Sequence, residues 1–333
     1  MAKQIFRFAK LYKDNRKAVV NTLTSMWCSE AKDASQDATT KELSGIIANI
    51  FTPENAQPLV QCMNNYEEVN TVTPAEAETL VGNLWRKTMP EGKYYPPYEH
   101  QYQCWHTLLR EKSGDGKPMS IVVKTGTGSG KTECFMLPLV RDLLDHPIDG
   151  QVQAIFLYPL NALMEDQKAR LEKILEGTNL TYAVYNGDLP EKVLPANAHD
   201  YQKVLRKIDE IKGIERDGQG NIIKCKYQHA VGTREELRKH PANILLTNPT
   251  MLEYILLRDK DQTLIQPDKH SLRWIAIDET HTYTGAGATE IAMLLRRVLM
   301  AYDVTTDTVR FATSSATIGG NDGGNPDEEL RQF

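Results

Sequence analysis

"VVKTGTGSGKTE", Val122–Glu133, decides the fold. It follows an apolar run of strand character and opens "ECFMLPLVRDLL" (133–144), whose apolar residues recur at helical spacing. A turn built from Gly, Ser and Thr between a strand and a helix lets backbone N–H groups close around phosphates. The helix N-terminus adds its partial positive charge, and Lys131 can reach the β- and γ-phosphates. Thr132 then stands where a Mg²⁺ ligand is needed. In the strict pattern G-x-x-x-x-G-K-[ST] the first Gly falls on Thr125, a departure from the bare motif.

Outward from this turn, short apolar runs alternate with helical stretches: "SIVVKTG" (120–126), "QAIFLYP" (153–159), "TYAVYNG" (181–187), "ANILLTNP" (242–249), "RWIAIDE" (273–279) and "VRFATSSAT" (309–317). Each is rich in β-branched or bulky apolar residues and ends in polar ones, as strands buried on both faces do in a parallel α/β sheet. A doubly wound sheet binds ligands at the carboxyl ends of its strands, and the polar residues fall there.

The run "WIAI" delivers Asp278 and Glu279 at such an end. Asp278 suits a carboxylate that reaches a phosphate-bound Mg²⁺ through water, and Glu279 one that polarises an attacking water. His281 is either a turn histidine or a link from the phosphate site to another region. A phosphate turn and an acidic strand end in one sheet predict a P-loop NTPase.

Residues 1–90 carry helical-period stretches such as "NRKAVVNTLTSMWCSEA" and "PAEAETLVGNLWRKTM", with Thr73 an N-cap ahead of Pro74. The tract "EGKYYPPYEH" (91–100) is expected to mark a domain boundary. A polar insertion at 191–240 contains "ERDGQGNIIK", whose Gly-bearing steps suggest a hairpin turn or exposed loop. Within 203–239, ten Lys/Arg face six Asp/Glu. That tract reads equally as a phosphate-contacting surface or a solvated helical face. Residues 321–333 have the composition of a flexible tail.

Net charge is −5 over 333 residues, so any nucleic-acid contact must be local. The five cysteines (Cys28, Cys62, Cys104, Cys134, Cys225) form no C-x-x-C pair, which argues against a disulfide framework or zinc site and fits a reducing cytoplasm. No run approaches the roughly 20 apolar residues of a membrane helix, and the N-terminus lacks the apolar core of a secretory signal. No membrane partner is expected.

In order, "YEHQYQ" (98–103), "TGTGSGKTE" (125–133), "LYPLNALMEDQ" (157–167), "YNGDLP" (185–190), "TNPTMLEYILLR" (247–258), "DETHTYTGAGATEIAMLLRR" (278–297) and "SSAT" (314–317) resemble the first RecA-like domain of superfamily 2 DEAD/DEAH-type helicases. The resemblance covers roughly residues 95–320. It implies a RecA-like P-loop domain at 91–320, preceded by a mainly helical region at 1–90. It also implies a tail at 321–333 that leads to a second RecA-like domain, in cis or in trans, the source of an arginine finger. This chain then reads as the front half of a motor.

By the same resemblance Gln101 contacts adenine. Thr125, Gly126, Thr127, Gly128, Ser129, Gly130, Lys131 and Thr132 hold the phosphates of ATP, with Thr125 a normal residue in this branch. Thr132 and Asp278 hold Mg²⁺, Glu279 is the base, and His281 belongs to the same catalytic group. Ser315, Ala316 and Thr317 couple hydrolysis to strand movement, while Pro159, Asn161, Thr247 and Asn248 touch the nucleic-acid backbone, DNA before RNA.

The motifs look most like the Lhr/MrfA-type branch. They are also similar to the very large bacterial helicases with a cysteine-rich C-terminal domain, some from phage-defence islands such as Druantia and DISARM. Other defence-system subunits are then expected partners, with DNA repair the other setting. Two further function classes share the motifs: a nucleotide-gated binding or scaffold subunit, and a restriction-type duplex translocase.

Overall fold

The structure is a computed structural model that describes residues 72–315 apart from 115, 126, 127, 267 and 268. The helices expected before residue 72 and the tail at 321–333 lie outside the described residues. All six apolar runs form strands: β1 (Ile121–Lys124), β2 (Ala154–Leu157), β3 (Tyr182–Tyr185), β6 (Ile244–Thr247), β7 (Trp274–Ile277) and β8 (Arg310–Ser315). The short strands β4 (Ile214–Arg216) and β5 (Ile222–Cys225) belong to the insertion. The six pair in the order β1-β8-β7-β2-β6-β3, every pair parallel. Such an order requires a crossover between consecutive strands, which the helices supply.

Alternation along each strand divides the core into two layers. Ala154, Phe156, Tyr182, Val184, Ile244, Leu246, Trp274 and Ala276 point to one face. There they meet α3 (Glu99–Arg110), α4 (Lys131–Asp145) and α5 (Asn161–Leu175) through Trp105, Phe135, Leu139 and Leu171. Ile155, Leu157, Ala183, Tyr185, Leu245, Ile275 and Ile277 point to the other. They pack on α8 (Pro249–Leu257) and α9 (Ala286–Ala301) through Leu252, Ile255, Leu294 and Val298. Strand β1, one of the two edge strands, departs from the expectation of burial on both faces and leaves Val122 50% exposed.

The stretch "PAEAETLVGNLWRKTM" is two helices, α1 (Pro74–Val81) and α2 (Leu84–Lys87). Thr73 caps the first: its hydroxyl accepts from Glu76 N, and Glu76 reaches back to Thr73 N at 2.8 Å. Gly82, at φ +64, ends it in a conformation that L-residues rarely adopt. Ala77, Leu80, Val81, Leu84 and Trp85 join the same layer as α3 and α4, although they precede the Pro-Pro tract.

The insertion carries α6 (Tyr201–Lys212), the β4–β5 antiparallel pair and α7 (Arg234–Lys239). Most of its basic residues are engaged within the chain. Arg216 forks onto Asp209 at 2.8 Å, Arg238 binds Asp261 at 2.7 Å and Glu191, and Lys207, Lys212 and Lys239 pair with Asp188, Glu236 and Glu235. The Arg234 guanidinium lies 5.0 Å from the Tyr185 ring centre. These pairings favour an intramolecular account of the charge run.

At the opposite end of the sheet from the phosphate turn, buried Asp142 on α4 ties helix to strands. It accepts from Arg273 at 2.8 and 2.9 Å and from Trp274 Nε1 at 2.8 Å. Burial alone would raise its pKa, but the Arg273 and Trp274 hydrogen bonds and the charge of Arg310 outweigh it and hold it below the usual value. A depressed carboxylate contributes stability above its unfolded pKa, about 3.9, and loses it as pH falls through the folded value. Asp142→Asn should therefore cost about 3 kcal/mol at neutral pH, because Arg273 and Arg310 lose their counter-charge. The deficit should shrink below about pH 4, as measured by denaturant unfolding across pH.

Candidate functional site

The strand register aligns the functional segments along one edge. Lys124 faces Ser315, Ile277 faces Thr313, and Leu157 lies between Ile277 and Thr247. The residues that follow these positions therefore emerge together: the phosphate turn, Asp278, Pro159 and Asn248. Parallel strands place their carboxyl ends on one side, so segments far apart in sequence meet there.

The turn after β1 reaches α4 through Gly130, at φ +72. The Gln101 side chain lies against this glycine, and a Cβ there would sit 2.3 Å from Gln101 Nε2. Gln101 is buried and used at both ends: Nε2 donates to Gly130 O at 3.2 Å, and Oε1 accepts from Tyr98 N at 3.0 Å. It clamps α3 to the phosphate turn. His100 Nε2 reaches Ser129 O at 2.9 Å beside it, and burial lowers the pKa of that imidazole. Thr125 Oγ1 and Ser129 Oγ are 2.5 Å apart, and Lys131 Nζ donates to Thr125 O at 3.0 Å. Gly126 and Thr127 lie outside the described residues.

Gly130→Ala combines a left-handed conformation, which costs an L-residue about 1–2 kcal/mol, with displacement of Gln101. Its unfolding free energy should fall by about 2 kcal/mol or more, and nucleotide affinity should fall with it, as read by denaturation and titration.

Strand β7 delivers Asp278, whose N–H donates to Leu157 O at 3.0 Å. Asp278 Oδ1 accepts from Glu279 N at 3.0 Å and from the Ser314 hydroxyl. Glu279 adopts φ +54, a strained conformation for a residue with a side chain. His281 Nδ1 lies 3.2 Å from Glu279 Oε2, at ion-pair distance without hydrogen-bond geometry, and 3.4 Å from Ser315 Oγ. Thr280 Oγ1 donates to Ser314 O at 3.0 Å. The acidic segment and the end of β8 are thus joined through His281, Thr280 and Asp278. Ala316 and Thr317 lie outside the described residues.

One cavity of about 540 Å³ gathers these parts. Its walls include Gln101, Gly128, Gly130, Lys131, Thr132, Asp278 and Glu279. The dimension suits a nucleotide-sized ligand. Thr132 and Asp278 both line it and offer oxygen donors, the hard donor set that Mg²⁺ takes alongside phosphate and water. The cavity also has a side that the sequence reading did not single out, walled by Trp85, Met89, Tyr95, Glu133, Gln167 and Arg170. The signal for it was the spacing of Leu163, Gln167 and Arg170, which share one face of α5.

A second cavity, of about 500 Å³, is lined by Pro159, Asn161, Asn248, Pro249, Thr282 and Tyr283. The first turns of α5 and α8 open onto it, where backbone N–H groups lack helical partners. Asn248 Oδ1 accepts from Met251 N at 2.8 Å, and its Nδ2 donates to Asn161 Oδ1 at 3.0 Å. Thr247 does not reach the cavity: it is buried, and its hydroxyl donates to Tyr185 O at 2.8 Å. The Thr247 side chain secures the strand end and leaves the surface to Asn248.

The profile of the DEAD/DEAH box helicase family matches residues 98–205. Over 301 residues the chain is 25% identical to the Druantia protein DruE of Escherichia coli (strain UMEA 4076-1), an alignment covering 68% of this chain and 16% of that protein. Over 205 residues it is 27% identical to an uncharacterized ATP-dependent helicase, YprA, of Bacillus subtilis (strain 168), covering 60% of this chain and 20% of the relative. The chain thus spans a fifth or less of the length of these two relatives. In fold it is similar to a solved DEAD-box helicase bound to ssRNA and UDP-BeF, with TM-score 0.53 and 13% identity over 82% of this chain and 44% of that one. Residues 98–205 thus carry a likeness to the DEAD/DEAH box helicases, and the parallel sheet with the turn and the acidic segment at one edge accords with it.

Proposed function

We propose that this chain is the ATP-binding half of an ATP-dependent DNA helicase or translocase of the bacterial-defence type, with Mg²⁺ as its metal. One observation carries the reading. A single cavity brings the phosphate turn (Gly128, Gly130, Lys131, Thr132) to face Asp278 and Glu279 at the end of β7.

In the proposed mechanism the backbone of the turn and Lys131 hold the triphosphate, and Thr132 and Asp278 hold the metal. When bound, Mg²⁺ would supply charge neutralisation to the triphosphate. Glu279 orients a water toward the γ-phosphate and accepts its proton. His281 stands between Glu279 and Ser315, so a change at the γ-phosphate is felt at the end of β8. The second cavity receives the nucleic-acid backbone. There the N-termini of α5 and α8, with Asn161 and Asn248, present donors to phosphate oxygens. A second RecA-like domain supplies the arginine that stabilises charge in the transition state. The likeness to DruE supports the defence setting.

Strand displacement and triplex displacement by the full-length protein test the reading. ATP-dependent separation of a DNA duplex supports a helicase. Triplex displacement without separation leaves a duplex translocase, and neither activity, with ATP bound, leaves a nucleotide-gated scaffold.

A further inference from the structure

Beyond the acidic pair, the lining of the 540 Å³ cavity contains two buried acceptors with no hydrogen-bond partner. Gln167 on α5 is 8% exposed, and its Oε1 is buried and unpartnered. Glu133, the third residue of α4, has Oε2 in the same condition. Its other oxygen accepts from Arg170 Nη1 at 3.3 Å, so the carboxylate is neutralised by a guanidinium on the neighbouring helix. Leaving such atoms unsatisfied is costly, and a ligand with hydrogen-bond donors removes the cost.

Most of the lining around them is aromatic or apolar: Trp85, Met89, Tyr95, Pro96 and Leu163. An apolar wall with a few aimed polar atoms is the composition of a small-molecule site. Gln101, by contrast, has its carbonyl oxygen taken by Tyr98 N and one amide hydrogen committed to Gly130 O. Acceptor capacity toward a ligand therefore lies with Glu133 and Gln167 on α4 and α5.

Building on the nucleotide reading, we propose that Glu133 and Gln167 form a nucleoside subsite that accepts hydrogen bonds from the donor groups of a purine ribonucleoside triphosphate. Those donors are the ribose hydroxyls and the exocyclic amine. Glu133 lies on the first turn of α4, one residue beyond Lys131 and Thr132, so its carboxylate adjoins the phosphate grip. Gln167 extends the subsite along α5. Arg170 neutralises the Glu133 carboxylate, which keeps it from repelling the phosphates.

Equilibrium binding of ATP, 2′-deoxy-ATP, 3′-deoxy-ATP and purine riboside triphosphate to the chain tests this, with Mg²⁺ present throughout. At least one analogue should bind about tenfold more weakly than ATP, the share of one hydrogen bond to a charged acceptor. The identity of that analogue tells hydroxyl from amine recognition. In Gln167→Leu or Glu133→Leu the discrimination should collapse toward one, whereas a purely structural role would weaken all four ligands equally. Glu133→Gln preserves shape and should give a partial collapse, which covers the case in which the leucine variant does not fold. Equal binding of all four triphosphates by the parent chain overturns the subsite and leaves the nucleotide reading intact. Failure of every triphosphate to bind overturns both.

Discussion

Glu279→Gln is expected to keep ATP affinity within about twofold of the parent while lowering phosphate release by the full-length protein about 10² to 10⁴-fold. The range is that of a positioned general base. The side chain lines the cavity beside Asp278, and its backbone is held at φ +54. The exchange alters only one carboxylate oxygen, so the cavity keeps its shape. Glu279 Oε2 also faces His281 Nδ1 at 3.2 Å, so the neutral side chain should loosen the His281 link to Ser315 as well. Stimulation of the residual rate by DNA should then fall too. Phosphate release with and without DNA measures both effects, and near-normal turnover would remove Glu279 from the role of base.

The second large effect is a separation of binding from catalysis in residues 1–333 by themselves. Among the described residues one arginine, Arg170, lines the cavity, and it is paired with Glu133. No other described guanidinium lines the cavity. In NTPases that use an arginine finger, that charge is worth about 10³ to 10⁵ in turnover. The chain alone should therefore bind Mg²⁺·ATP and hydrolyse it near background, with little response to DNA. Robust DNA-stimulated turnover would mean that the chain supplies its own finger, for example by self-association.

How much of this was legible in the sequence depended on local signals. The six strands were, because each is a short apolar run closed by turn residues, and burial on two faces leaves that pattern. Strand β1 reads the same way yet sits at the sheet edge, since strand order is set by crossovers between distant segments. The meeting of Lys131 with Asp278 and Glu279 followed from parallel strands ending on one side. The break at Gly82 was hidden inside a continuous helical period, where one glycine suffices to stop α1.

The contact of Gln101 with Gly130 and the orphaned acceptors of Glu133 and Gln167 were not legible, because α3, α4 and α5 meet only in the packed fold. Thr247 shows the converse. It lies in a recognisable motif, but its hydroxyl is turned into the sheet toward Tyr185 O.

The central claim, that the cavity at this sheet edge holds a nucleoside triphosphate through Lys131, is tested most directly by titrating a fluorescent ATP analogue into the purified chain and its Lys131→Ala variant. The account predicts saturable, Mg²⁺-dependent binding by the parent. It predicts about thirtyfold or greater loss in the variant, the equivalent of about 2 kcal/mol for removing one partner of a charge pair. Equal affinity of parent and variant, or no binding by the parent, would contradict it.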